Sequence, residues 1–152
     1  MSNVFNTILC PVDLEGHSAP ALELARKLAI QNDATICLFH TSPLPMAAAE
    51  FAPMPLEPLP EWERSAREGL EKLAAEQLAG KVKYRIETAT GEAIVSVLEA
   101  ARKFAADLIV MTTHGRRGIS HFLLGSIVED VIRESPCPVL VVRIEPDAPK
   151  KR

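Results

Sequence analysis

The strongest constraint on this chain is a regular change of hydrophobic period along its length. Short apolar runs rich in β-formers alternate with stretches whose apolar residues recur every three or four positions. The first kind suits strands buried on both faces, the second helices with one buried stripe. Val4 to Val12 is the first run, closing on Pro11-Val12-Asp13. Ser18 then stands as an N-cap, with Pro20 in the first turn, where its missing N–H does no harm. Ala21, Leu24, Ala25, Leu28 and Ala29 make the following helical stripe, and Thr35 to His40 is a second strand.

The prolines interrupt this rhythm once. Six of the twelve lie between Pro43 and Pro60, a density that leaves no room for a helix or a central strand. A long irregular connection on that side of strand 2 is expected to serve as a lid or a dimer contact. Beyond it, Trp62, Ala66, Leu70, Leu73, Ala74 and Leu78 predict a helix over Glu61 to Ala79 that Gly80 stops. Val82 to Ala89 alternates, as a half-exposed edge strand does. Glu92 to Ala105 is an amphipathic helix carrying Ile94, Val97, Leu98, Ala101 and Ala105. Asp107 to Thr112 is a buried strand. Ser126 to Glu134 is a helix with a stripe of Ile127, Val128, Val131 and Ile132, and Val139 to Val142 is a final strand. The polar tail from Glu145 is expected to fray.

Strands alternating with helices imply a single-domain, three-layer α/β/α sandwich around a five-stranded, mainly parallel sheet. Its ligands belong at the carboxyl ends of the strands. With a net charge of −3 the chain lacks the basic excess of general nucleic-acid binders. No apolar run approaches the roughly 18 residues of a membrane span, and the opening residues, without Lys or Arg ahead of an apolar stretch, give no expectation of a secretory signal. Cys10, Cys37 and Cys137 have no metal-ligand spacing and are expected as reduced thiols in a cytoplasmic protein. His17, His40, His114 and His121 show no HxxxH pattern and no carboxylate partner suggesting zinc.

Chemistry concentrates between Met111 and Ser126. This stretch leaves a buried strand, passes Gly115 and Gly118, and enters a helix at Gly125-Ser126. Glycines let the backbone approach a ligand closely, and a helix start offers unpaired N–H groups and a positive dipole end to phosphate. Arg116 and Arg117 add positive charge. Gly125-Ser126 also reads simply as a helix cap. GxxxxGK[ST] and GxGxxG are both absent, which excludes a P-loop and the Rossmann fingerprint.

At this stretch the chain resembles the universal stress proteins, whose nucleotide-binding members carry Gly-x2-Gly-x9-Gly-(Ser/Thr). Gly115, Gly125 and Ser126 match, and Thr112 replaces the first glycine. The likeness extends to Ile8-Leu-Cys-Pro-Val-Asp13, His40 closing the second strand, and Ser135-Pro-Cys-Pro-Val-Leu-Val-Val142, spanning roughly residues 3 to 144. It implies a Rossmann-like fold of the adenine nucleotide alpha hydrolase kind, with strand order 3-2-1-4-5. ATP is expected across the strand ends. Pro11, Val12, Asp13 and Thr41 would hold adenine and ribose, and Met111, Thr112 and His114 would line the ribose side. Gly115, Arg116, Gly118, Gly125, Ser126, Ile127 and Val128 would surround the phosphates. Asp13 can accept from a ribose hydroxyl or help hold Mg²⁺; it also reads as a cap of the loop that follows.

The resemblance further implies stress signalling through nucleotide-dependent conformation, and a homodimer through Val139 to Arg143 with an unidentified protein partner. No general base is placed to activate water, so turnover is expected to be at most slow hydrolysis or autophosphorylation. The competing reading is a dimeric interaction module without nucleotide, favoured by Thr112. A phospho-receiver domain would need an acidic cluster at the strand ends, where Asp13 stands by itself.

Overall fold

The computed structural model describes residues 2–43, 59–113 and 125–144. The elements run β1 (Thr7–Pro11), α1 (Ala19–Asn32), β2 (Thr35–Ser42), α2 (Leu59–Gln77), β3 (Lys83–Thr90), α3 (Ala93–Lys103), β4 (Leu108–Thr112), α4 (Ser126–Glu134) and β5 (Val139–Val142). All five strands are parallel, in the order β3-β2-β1-β4-β5. This is the three-layer α/β architecture and strand order expected.

The sheet sorts its side chains by strand alternation. Ile8, Cys10, Ile36, Leu38, Leu108 and Val110 pack on one face, against Ala21, Leu22, Ala25 and Ala29 of α1 and Leu70, Ala74 and Leu78 of α2. Leu9, Cys37, Phe39, Ile109 and Met111 pack on the other, against Val97 and Ala101 of α3 and Val128 and Val131 of α4. The small residues of α1 let its backbone lie close to the sheet. A fully buried side chain such as Leu70 contributes about 1.5–3 kcal/mol.

The N-terminal edge of the sheet is closed by side chains. The Asp107 carboxylate accepts the backbone N–H of Asn6 (2.7 Å) and of Thr7 (3.1 Å), tying the start of β1 to the start of β4. The Asn32 side chain accepts through Oδ1 from the N–H of Val4 (3.1 Å) and donates through Nδ2 to the Leu28 carbonyl (2.9 Å).

Several local expectations need correcting. Val4 is 73% exposed and precedes β1, because the Asn32 side chain engages this stretch before pairing begins. In α1 it is Leu22, not Leu24, that is buried. Pro60 lies inside α2, in the first turn, where a helix tolerates it. Trp62 is 45% exposed. Helix α3 ends at Lys103, and Ala105 takes a left-handed φ of 49° beyond it. Ile127 and Ile132 are 42% and 46% exposed, so α4 buries only Val128 and Val131 of its four-residue stripe. Gly80, at φ +74°, turns the chain after α2 as expected. Most of 43–60 and the tail from 145 lie outside the described residues.

Candidate functional site

Parallel strands joined through helices bring strand C-termini and helix N-termini to one edge. Pro11, Val12 and Asp13 arrive there from β1, Thr41 from β2, and Met111 and Thr112 from β4. β1 sits between β2 and β4, so the chain direction across the sheet reverses there. Such a switch point is where open α/β sheets take ligands.

The exit of β1 is held firmly. The Val12 N–H donates to the Phe39 carbonyl (2.8 Å), and the Val12 carbonyl accepts from His40 Nδ1 (2.8 Å). A carbonyl can only accept, so the His40 ring carries a proton on Nδ1. The Asp13 N–H donates to Ser18 Oγ (2.9 Å). Ser18 therefore occupies the N-cap position of α1 without capping it through its side chain, because its hydroxyl serves the strand exit instead.

Gly16, at φ +92°, turns the chain so that His17 comes back over Asp13. One carboxylate oxygen, Oδ1, accepts the His17 backbone N–H (3.1 Å), and Oδ2 accepts its ring Nδ1–H (2.8 Å). Glu15 Oε2 lies 3.7 Å from the same nitrogen. The expectation that no histidine has a carboxylate partner fails at His17. Asp13, Glu15 and His17 each offer a ligand atom within 4.8 Å of the others, but the Nδ1–H that holds Asp13 would have to be given up before that nitrogen could take a cation. The signal in the sequence was the i,i+4 spacing of Asp13 and His17 across a glycine.

Thr41 brings a hydroxyl whose Oγ1 is buried and has no hydrogen-bond partner among the described residues. Met111 and Thr112 are buried in β4, in register with Val141 and Val142. Because Thr112 is a paired strand residue, its backbone makes no demand that only glycine can meet. Gly125 precedes α4 with φ −57°, so it too is not fixed by a left-handed conformation. Glycine has no side chain to cap with, and among the described residues no other side chain caps the start of α4. The N–H groups of Ser126, Ile127 and Val128 lack intrahelical acceptors. Ser126 is exposed, whereas the Val128 side chain is in the core and can offer a ligand only its backbone. Glu129 adds a negative charge to the same turn. His114, Gly115, Arg116 and Gly118 lie outside the described residues.

Val12, Asp13, Leu14, Lys72 and Glu76 line a cleft of about 260 Å³ between the β1–α1 turn and α2. Gly69 makes room for Leu14, since a Cβ there would stand 3.0 Å from Leu14 Cδ1. Lys72 and Glu76 had no distinguishing pattern in the sequence; they share the cleft because α2 crosses beside the exit of β1.

The thiols contribute no chemistry here. Burial pushes Cys10 up to about 12 and Cys37 up to about 11, and it also raises Cys137. All three are free.

The model of the universal stress protein family matches residues 5–143. The chain belongs to the universal stress protein family. A universal stress protein from Methanocaldococcus jannaschii is 32% identical over 148 residues, covering 93% of this chain and 84% of that protein. Among solved structures, the hypothetical protein MJ0577 superposes with a TM-score of 0.78 at 24% identity, covering 95% of this chain and 99% of the other. A universal stress protein in complex with cAMP superposes with a TM-score of 0.61 at 23% identity, covering 93% and 98%. A role in the stress response follows at the level of the family. No described helix of this universal stress protein is long and apolar enough to cross a membrane.

Proposed function

We propose that the chain binds ATP across the C-terminal edge of its sheet and acts in stress signalling through nucleotide-dependent conformation. The observation that carries this reading is the start of α4. Its N–H groups have no side-chain cap among the described residues, and it follows the strand beside the switch point. Phosphate suits such a helix end. The unpartnered Thr41 hydroxyl is a second acceptor-donor awaiting a polar ligand. Asp13 uses two of its roughly four lone-pair positions on His17 and keeps others for a ribose hydroxyl or for Mg²⁺. His114, Gly115, Arg116 and Gly118 belong to the same reading. The solved cAMP complex of a family member supports an adenine nucleotide as the ligand class.

The reading includes a cytoplasmic homodimer. Strand β5 lies at the sheet edge, and Leu140 in it is 37% exposed. Ile127 and Ile132 of α4 leave further apolar surface uncovered. An apolar edge strand of this kind pairs readily with its twin. A monomer by light scattering at tens of micromolar contradicts this part. A nucleotide-free interaction module is the second reading, favoured by the same exposed apolar residues.

Isothermal titration of ATP into the wild-type chain and into Thr112→Gly separates the two. The nucleotide reading expects saturable heat in both, with affinity at least as high in Thr112→Gly. No heat in either, from chains with intact circular dichroism, leaves the interaction module.

A further inference from the structure

The Asp13–His17 contact does more than close a turn. Asp13 stands at the exit of β1, where its carboxylate is 23% exposed and reaches the cleft. Two donors of one residue hold it, the His17 backbone N–H on Oδ1 and the ring Nδ1–H on Oδ2. The backbone donor stays in any variant at position 17. The ring donor does not. Without it Oδ2 has no hydrogen-bond donor among the described residues, and the carboxylate can swing about its terminal torsion, which is broad and soft. Glu15, exposed and 3.7 Å from the ring nitrogen, also draws on His17 but leaves Asp13 the shorter contact.

We infer that His17 is a positioning residue: its Nδ1–H fixes the orientation of the Asp13 carboxylate, and that orientation sets recognition of the ribose hydroxyls of the bound nucleotide. This rests on the nucleotide reading above and adds to it a determinant of ribose against deoxyribose. The chemistry makes a sharp distinction between substitutions. Asparagine places Nδ2 where histidine has Nδ1, one bond beyond Cγ. Glutamine places its nitrogen one atom further out and cannot reproduce the contact.

The test is the affinity of ATP, 2′-deoxyATP and 3′-deoxyATP for the full chain, measured by titration calorimetry on wild type, His17→Ala, His17→Asn, His17→Gln and Asp13→Asn. A hydroxyl donating to a fixed carboxylate gives wild type about a tenfold preference for ATP over one deoxy analogue. That ratio is expected to fall to about two- or threefold in His17→Ala and His17→Gln, to survive in His17→Asn, and to vanish in Asp13→Asn. A purely structural role for His17 would lower all three affinities together and leave the ratio intact. An unchanged ratio in His17→Ala overturns this inference alone, as does equal behaviour of the Asn and Gln variants. Wild type that binds ATP and both deoxy analogues equally removes the ribose role of Asp13 and this inference with it. Wild type that binds none of them overturns the nucleotide reading itself.

Discussion

The two edges of this sheet are built from similar residues and are finished in opposite ways. At the N-terminal edge, Asp107 and Asn32 spend their side chains on backbone N–H groups at the start of the chain and of β1. At the C-terminal edge Ser18, His40 and Asp13 hold the exit of β1, but the helix starts around it are left open. Ser18 and Glu92 precede α1 and α3 without a side-chain capping bond, Gly125 has no side chain to offer α4, and the Thr41 hydroxyl is buried with no partner among the described residues. Leaving such groups unsatisfied costs stability, typically about 1–3 kcal/mol for a buried one. The difference teaches that the first edge spends its polar groups on the fold, while the second leaves groups free, as the proposed ligand site requires.

The sharpest way to break this contrast is to open the closed edge. Asp107→Ala removes acceptors from two backbone N–H groups and is expected to cost about 2–3 kcal/mol in urea denaturation. ATP affinity should not change. Lost affinity at unchanged stability would reverse the roles of the edges.

Between the edges, Cys10 supplies a baseline that belongs to neither. Its thiol is raised from 9.0 to about 12 by burial, so the folded chain keeps a proton that the unfolded chain releases above pH 9. The contribution is fully present below that pH and falls as pH rises toward the folded value. The stability gap between pH 9 and pH 10 should therefore be larger in wild type than in Cys10→Ala, by up to about 1.4 kcal/mol per unit. Equal pH dependence in the two would show that the thiol reaches solvent.

Thr41→Val sharpens the contrast from the open side. It removes a buried hydroxyl that has no partner among the described residues, so stability should hold or rise by about 1 kcal/mol while ATP binding weakens. A loss of stability would mean that the hydroxyl is used within the fold. The smallest effect is expected at Lys83, whose 3.0 Å contact with Asp33 joins two side chains that are 64% and 77% exposed. Lys83→Ala should shift stability by no more than about 0.5 kcal/mol, since exposed pairs contribute little. A larger loss would make charge pairs, and not backbone acceptors, the closure of that edge.

The layout of the fold was legible because periodicity reports burial directly. Ser126–Glu134 and Val139–Val142 have the bounds that their apolar spacing predicts, and the strand order agrees with the resemblance. Misplaced details share one cause. Hydrophobic character alone does not tell which side chain meets the sheet, so Val4, Ile127 and Ile132 are counted as core although they are exposed. At the candidate site, sequence order brings Asp13, Thr41, Thr112 and Gly125 to one edge through topology alone. It does not show who partners whom. Ser18 reads as a cap and instead serves Asp13, and His17 reads as unpartnered and instead grips it. Those choices depend on the turn at Gly16, whose positive φ leaves no mark in hydrophobic period.

Amide chemical-shift mapping during an ATP titration of ¹⁵N-labelled protein reads both edges at once. The account predicts saturable shifts at Asp13, Thr41, Gly125 and Ser126, with Asn6, Thr7, Asn32 and Asp107 unmoved. Shifts confined to the second group, or none at millimolar ATP from a folded chain, would contradict it.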